Sequence, residues 1–226
     1  MKIRSKRYKE SQKTLDRDKQ YQLKDAISVL KKMPATKFDS AVDLHFHLSV
    51  DTKKSDQMVR GTVILPHGTG KKIRVAVFCK GEHEKIARTA NADYVGGLEL
   101  IEKVSGGFLD FDCAIATPEM MKDLSKLGKV LGPRGLMPSP KTGTVTNDIL
   151  KAIEDVKKGK VEFRVDKQGG MHLSVGKVSF SEDKLYDNAS KVIEAVNEAK
   201  PASVKGKFVK SLSIATSMNP GLMLAL

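Results

Sequence analysis

The 226-residue sequence predicts a mixed fold of two domains: a discontinuous α+β domain, residues 1–66 with 160–226, and an inserted α/β domain at 67–159. Three observations support this. Both outer segments switch between helical and strand periodicity in the style of an α+β protein. The middle segment alternates short apolar strands with helices, the pattern of a parallel sheet covered on both faces. The chain passes between the two styles twice, at PHGTGK (66–71) and KKGK (157–160), and paired glycine-bearing crossings suit a hinge. One continuous mixed sheet is the alternative.

The elements follow in chain order. Residues 5–14 read as a short basic helix. LKDAISVLKKM (23–33) places Ile27, Val29 and Leu30 near one face and stops before Pro34. FDSAVDLHFHLSV (38–50) alternates as a strand, with Val42, Leu44, Phe46 and Leu48 on one side and Asp43, His45 and His47 on the other. MVRGTVIL (58–65) is a second strand, expected to form a hairpin with the first. In the insert, KIRVAVFC is a strand, HEKIARTAN a helix, 98–104 a helix ending at Gly106–Gly107, and FDCAIAT a buried strand. Thr117 is expected to cap a helix with Pro118 at its first position and Met120, Leu124, Leu127 and Leu131 at helical spacing. Asn147–Asp148 opens a helix carrying Ile149, Ile153 and Val156. Beyond it, KVEFRVDK and MHLSVGKVSF flank a Gly169–Gly170 turn as a hairpin. Ser181 caps a helix with Glu182 and Asp183 in its first turn and an apolar stripe at Leu185, Ala189, Val192, Ile193 and Val196. VKSLSIATSM is the expected final strand.

Composition narrows the function. The net charge is +13, and residues 1–40 hold 12 of the basic side chains against five acidic ones. A balance of that sign favours polyanions, because each cation set against a phosphate releases counterions. Cys79 and Cys113 lie far apart in apolar runs and read as reduced, buried thiols rather than metal ligands. The N-terminal MKIRSKRYKESQK lacks the apolar region of a signal peptide, and no window approaches the ~18 apolar residues of a membrane span.

Catalytic patterns are incomplete. GTGKK (68–72) lacks the glycine a phosphate loop needs, since Leu65 occupies its place, and Lys72 stands where Ser or Thr is required. Asp110 and Asp112 fit strand-edge acids better than a cation site without further oxygen ligands. His45 and His47 share a strand face without a third ligand at metal spacing. His67 falls in the first crossing, His83 in an exposed helix start, and His172 after the glycine turn without a nucleophile in a recognisable setting. Neither a cofactor nor a metal is expected. A nucleotide-binding enzyme in the insert and a general basic nucleic-acid chaperone remain as competing classes.

A binding constellation is more persuasive. Lys37–Phe38 begins the first strand and Asp43 follows on it. Arg164, Asp166 and Lys167 flank the glycine turn. Thr216, Ser217 and Met218 end the late strand. The three places are expected to converge on one sheet end, offering cations for phosphate, hydroxyls and carboxylates for 2′-OH groups and base edges, and Phe38 or Met218 against a sugar or base. Phe38 and Met218 fit core positions as well, and Arg164 and Lys167 fit solvated turn charges. LGKVLGPRGLMPSPKTGTV (127–145) is a further feature: its glycines and prolines forbid a continuous helix and leave a stiff loop presenting amides with Lys129, Arg134 and Lys141.

The chain resembles the ribosomal L1 family along nearly its whole length. The resemblance rests on KFDSAVDLH (37–45), SDQMVRGTVILPHGTGK (55–71), ADYVGG (92–97), DFDCAIATPEMM (110–121), the 127–145 loop and FRVDKQGGMH (163–172). It implies a non-enzymatic constituent of the large ribosomal subunit in the cytoplasm, with an outer RNA-binding domain and a Rossmann-like insert swinging on two connections. It implies binding to 23S-type rRNA at the mobile lateral stalk, help in releasing deacylated tRNA from the exit site, and repression of its own operon by binding that mRNA. Off the ribosome a monomer is expected. The implied rRNA contacts are Lys37, Phe38, Asp43, Arg164, Asp166, Lys167, Ser217 and Met218. Ser217-Met218-Asn219 stands where the family commonly has Thr-Met-Gly, and Ala41 and Asp43 where Thr and Glu are usual. The tail NPGLMLAL is unusually apolar.

Overall fold

The computed structural model describes residues 5–13, 15–16, 19–34, 36–204 and 206–225. Among them the order is α1 (Lys6–Lys13), α2 (Leu23–Lys32), β1 (Ala41–Leu48), β2 (Arg60–Ile64), β3 (Val75–Phe78), α3 (Glu82–Thr89), β4 (Tyr94–Gly96), α4 (Leu98–Ser105), β5 (Cys113–Ala116), α5 (Met121–Leu124), α6 (Gly128–Leu131), α7 (Ile149–Lys158), β6 (Lys160–Arg164), β7 (Gly170–Lys177), α8 (Glu182–Glu198), β8 (Val209–Thr216) and β9 (Leu222–Met223). Residue 14, the end of the expected first helix, lies outside the described residues. The chain divides into two compact units, Met1–Gly70 with Val161–Leu226, and Lys71–Lys160.

In the first unit the sheet order is β7-β1-β8-β9. β1 is flanked antiparallel by β7 and β8. Its alternation is the expected one: Val42, Leu44, Phe46 and Leu48 are buried. They join Ala26, Ile27 and Leu30 of α2 and Leu185, Ala189, Val192 and Val196 of α8 in one core, each large side chain contributing roughly 1.5–3 kcal/mol by leaving water. Helix α8 begins where Ser181 Oγ accepts the Lys184 amide, with Glu182 and Asp183 against the positive end of the helix dipole. Asn188 of α8 is one of the polar side chains buried in this unit. Asn188 is fully buried, yet all its groups are used: Nδ2 donates to the carbonyls of Val175 (2.7 Å) and Gly68 (3.0 Å), and Oδ1 accepts the His67 amide (3.1 Å). A buried amide so satisfied fixes residues 67–68 on α8 instead of destabilising the core. His67 also meets Asp187, Nε2 to Oδ2 at 3.1 Å.

Both expected hairpins are corrected. β2 pairs with β6 in a separate two-stranded sheet, not with β1; β1 has both edges occupied by β7 and β8, leaving no ladder for β2. β6 and β7 do flank a tight turn, closed by the Asp166 amide on the Gly170 carbonyl at 2.8 Å, but they then part into different sheets. β8 is not the final strand. The apolar tail adds β9, pairing Ser213 with Met223 and Ile214 with Leu222, and buries Leu222 and Leu224, which accounts for its composition.

The second unit holds a three-stranded parallel sheet, order β4-β3-β5; β4, the short ADYVGG strand, was not among the expected elements. Alternate residues of β3, and Cys79 just beyond it, face two cores. Ala76 and Phe78 pack with α4 and with Met120, Leu124, Leu127 and Leu131; Val75, Val77 and Cys79 pack with Ala87 and with Ile149, Ile153 and Val156 of α7. Helices therefore cover both faces, as the sequence pattern requires. The single helix expected after Thr117 is instead a run of short pieces, 3-10 at Pro118–Met120 and Ser125–Leu127 alternating with α5 and α6. Thr117 makes no side-chain cap; it is buried, and its amide donates to the Phe78 carbonyl. Asp148 does cap α7 through the Lys151 amide. The Gly/Pro loop is less open than expected. Gly132–Gly135 and Lys141 are exposed, but Pro138 and Thr142 are buried. Thr144 Oγ1 accepts the Ser139 amide at 2.8 Å and the Thr142 hydroxyl donates to the Ser139 carbonyl at 2.9 Å.

Candidate nucleic-acid interface

The expected constellation lies on the first unit but not at one place. Antiparallel pairing sets the start of β1 beside the end of β8. The Ala41 amide donates to Ser217 Oγ and the Ser217 amide to the Ala41 carbonyl, both at 3.2 Å. Lys37 is exposed just before this pair, and Phe38 and Met218 leave 54% and 53% of their surface to solvent. Neither is core. Asp43 is half-buried on the open face of β1, in register with Ser174 and Ala215. Thr216 differs from its neighbours. β8 alternates Leu212, Ile214 and Thr216 inward, so Thr216 is only 4% exposed, and its hydroxyl has no partner among the described residues. The expectation that this hydroxyl is offered to a ligand is corrected by the strand period.

The second correction concerns convergence. Ala41 is in register with Lys177, whereas His47 is in register with Gly170. The Arg164–Lys167 turn thus stands at the opposite end of β1, about 20 Å away at ~3.4 Å per residue. Arg164, Asp166 and Lys167 are exposed there. Asp166 shapes this turn: Oδ1 accepts the amides of Gln168 (2.8 Å) and Gly170 (2.7 Å). These bonds, first that from Gly170, hold its carboxyl below the usual carboxylate range. Gly169 has φ +81°, a conformation other residues rarely adopt.

Two histidines that sequence reasoning treated separately lie between the two ends. His45 and His172 are in register, with Nδ1 atoms 2.9 Å apart and ring centroids 5.0 Å apart. Burial, then the neighbouring His172, pushes the His45 pKa below its ordinary value, against Asp43. His172 Nε2 lies 4.0 Å from Asp166 Oδ2. Sequence reasoning also missed contacts near Met218. The Arg7 guanidinium donates to the Met218 carbonyl and the Ser11 hydroxyl to Asn219 Oδ1, each at 3.3 Å. Partners more than 200 residues away leave no local signal.

Of the other singled-out groups, Asp110 and Asp112 share a structural partner. Arg74 bridges Asp110 (2.9 Å) and Asp112 (3.2 Å). These bonds raise the Arg74 pKa, while the Arg74 amide, ahead of its side chain, lowers that of Asp112. His83 is half-buried rather than exposed, with Nδ1 lacking a partner among the described residues. Cys79 and Cys113 form no disulfide; the first is buried, the second half-buried. Burial, with Glu84 nearby, pushes Cys79 up to about 11. Among the described residues no three His, Cys, Asp or Glu side chains gather as a metal site, and no helix is long and apolar enough to cross a membrane.

A cation beside two exposed large apolar side chains, with a second basic turn further along the same sheet, makes a class of basic surface studded with apolar groups. The family is narrower than the class. Residues 30–220 match the model of the Ribosomal protein L1p/L10e family, and the chain belongs to that family. It is 53% identical over 96% of its length to the large ribosomal subunit protein uL1 of Thermosipho melanesiensis, covering 94% of that protein. The uL1 of Fervidobacterium nodosum is 54% identical, over 98% of this chain and 95% of its own. That of Protochlamydia amoebophila is 53% identical, over 98% and 94%.

Proposed function

We propose that the chain is a cytoplasmic, non-enzymatic constituent of the large ribosomal subunit that binds 23S-type rRNA at the lateral stalk. The outer unit is its discontinuous α+β RNA-binding domain. The inserted unit, with its parallel sheet, is a Rossmann-like domain pivoting on the two crossings. The direct contacts are Lys37, Phe38, Asp43, Arg164, Lys167, Ser217 and Met218; Asp166 holds Lys167 in its turn, and Thr216 supports Ser217 from beneath. Through the mobility of the bound RNA the protein assists release of deacylated tRNA from the exit site. By binding a similar fold in its own operon mRNA it represses translation.

The observation that carries this reading is the exposure of Phe38 and Met218 on the two segments joined by the Ala41–Ser217 bonds. A large apolar side chain left in water beside cations suits a sugar or base more than a protein core. The ~20 Å spacing between the two contact ends suits a folded RNA, such as a three-way junction, that presents two backbones at once. The test is filter binding of the whole chain to a stalk-type three-way-junction RNA and to a random duplex over a salt series. The reading expects a preference for the junction that survives added salt. Equal affinity for both RNAs overturns it.

A further inference from the structure

Helix α1 is basic, with Lys6, Arg7, Lys9 and Lys13 against one acid, Glu10. It is also docked. Ser11 is fully buried although it sits in a helix of low apolar content, so its hydroxyl must be satisfied inside the protein. It donates to Asn219 Oδ1, and one turn earlier Arg7 donates to the Met218 carbonyl, both at 3.3 Å. The same single O–H is shared with the Arg7 carbonyl, the nearer acceptor at 3.1 Å. Positions 7 and 11 lie on one helical face. Lys6, Lys9 and Lys13 are exposed, and helical spacing puts them together on the side of α1 turned away from Arg7 and Ser11. Asn219 is the residue that stands where the family commonly has glycine, so the bond to Ser11 uses a side chain that glycine lacks.

We propose that α1 is a second RNA-contacting element, latched onto the 217–219 turn through Ser11–Asn219 and Arg7–Met218, with Lys6, Lys9 and Lys13 against the phosphate backbone next to the Met218 contact. This rests on the RNA-binding reading above. Asn219 and Ser11 are positioning residues: they touch no RNA but hold the cationic helix at the contact. An ammonium so held neutralises a phosphate without the entropy a free tail loses on binding.

The test uses the full chain with the three-way-junction RNA in filter binding across a salt series. Lys6→Gln/Lys9→Gln/Lys13→Gln is expected to lower the slope of log affinity against log salt by about 2–3, since each lost phosphate contact removes roughly 0.7–0.9. Ser11→Ala and Asn219→Gly are each expected to weaken binding by roughly three- to tenfold, with the double variant no weaker than the worse single one, because both release one latch. An unchanged slope in the triple variant, or additive losses at Ser11 and Asn219, overturns the proposal. A slope change is not produced by misfolding of a purely structural helix, and matched circular dichroism melts identify a variant that fails to fold. Failure of the underlying reading looks different: the unmodified chain then does not prefer the junction.

Discussion

His45 Nδ1 and His172 Nδ1 meet at 2.9 Å across registered positions of β1 and β7. Such a contact needs one ring to donate and the other to present a lone pair, so it survives one shared proton and breaks when both rings are charged. Around it stand Asp43 on β1 and Asp166 before β7.

The pair makes stability pH-dependent on the acid side. Burial and then His172 lower the His45 pKa. A base whose folded pKa is depressed contributes stability above its unfolded pKa, near 6.5, and that contribution is lost as pH falls through the lower folded value. Chemical denaturation midpoints are expected to hold from pH 8 to 7 at this site and to decline below about 6.5. In His172→Asn the charge effect of the neighbour disappears, so the His45 midpoint moves upward in an NMR titration. An unmoved midpoint would contradict the coupling.

Thr216 and Met218 are expected to part company. Thr216→Val removes a buried hydroxyl that has no partner among the described residues, so folding should be unchanged or about 1 kcal/mol more stable, with junction-RNA affinity intact. Met218→Asp, at a 53% exposed position, should leave folding unaffected and weaken junction binding far more than random-duplex binding. Paired melts and filter binding decide both; equal losses on the two RNAs would remove the specific role of Met218.

The Asp166 turn should be acid-resistant. Amides from Gly170 and Gln168 depress its carboxyl pKa, so the stabilisation is present above the ordinary carboxylate value and is lost only as pH falls through the lower, folded one. Amide hydrogen exchange at Gln168 and Gly170 is expected to be protected at pH 5 and to speed up in Asp166→Ala at neutral pH. Lys167-dependent RNA affinity should fall with it.

Gly61 on β2 is tight against Phe163 on β6. A Cβ there would lie 2.6 Å from Phe163 Cζ, and Phe163 is buried in the core. Gly61→Ala is expected to cost about 1–3 kcal/mol of stability through overpacking, read as a lower urea midpoint. Gly61→Ala/Phe163→Leu should recover part of it. Full stability in the single variant would mean that the ring yields more easily than its surroundings allow.

Much of the secondary structure was legible because it depends on neighbours in sequence. The alternation of Val42 to Leu48 marks a half-buried strand whatever its partner is. Ser181 and Asp148 mark helix starts because a cap reaches an amide only three residues on. Thr117 carries the same signal without making the cap, since its side chain is buried and its amide is tied to the Phe78 carbonyl. Asn188 gave no signal, because its three bonds depend on segments far from α8 in sequence. The exposure of Phe38 and Met218 was equally undecided: residue type alone fits core and interface alike.

The sequence by itself determined the strand and helix faces, the basic character of the N-terminal segment and, through its motifs, the ribosomal L1 family; these depend on composition, local period and spacing. The tertiary structure alone decided which strands pair, that the two contact regions occupy opposite ends of β1, that Thr216 points inward, and that Ser11 meets Asn219. Those facts depend on register between segments more than a hundred residues apart. Register is chosen by how all the apolar faces close into one core, and no short stretch of chain contains that information.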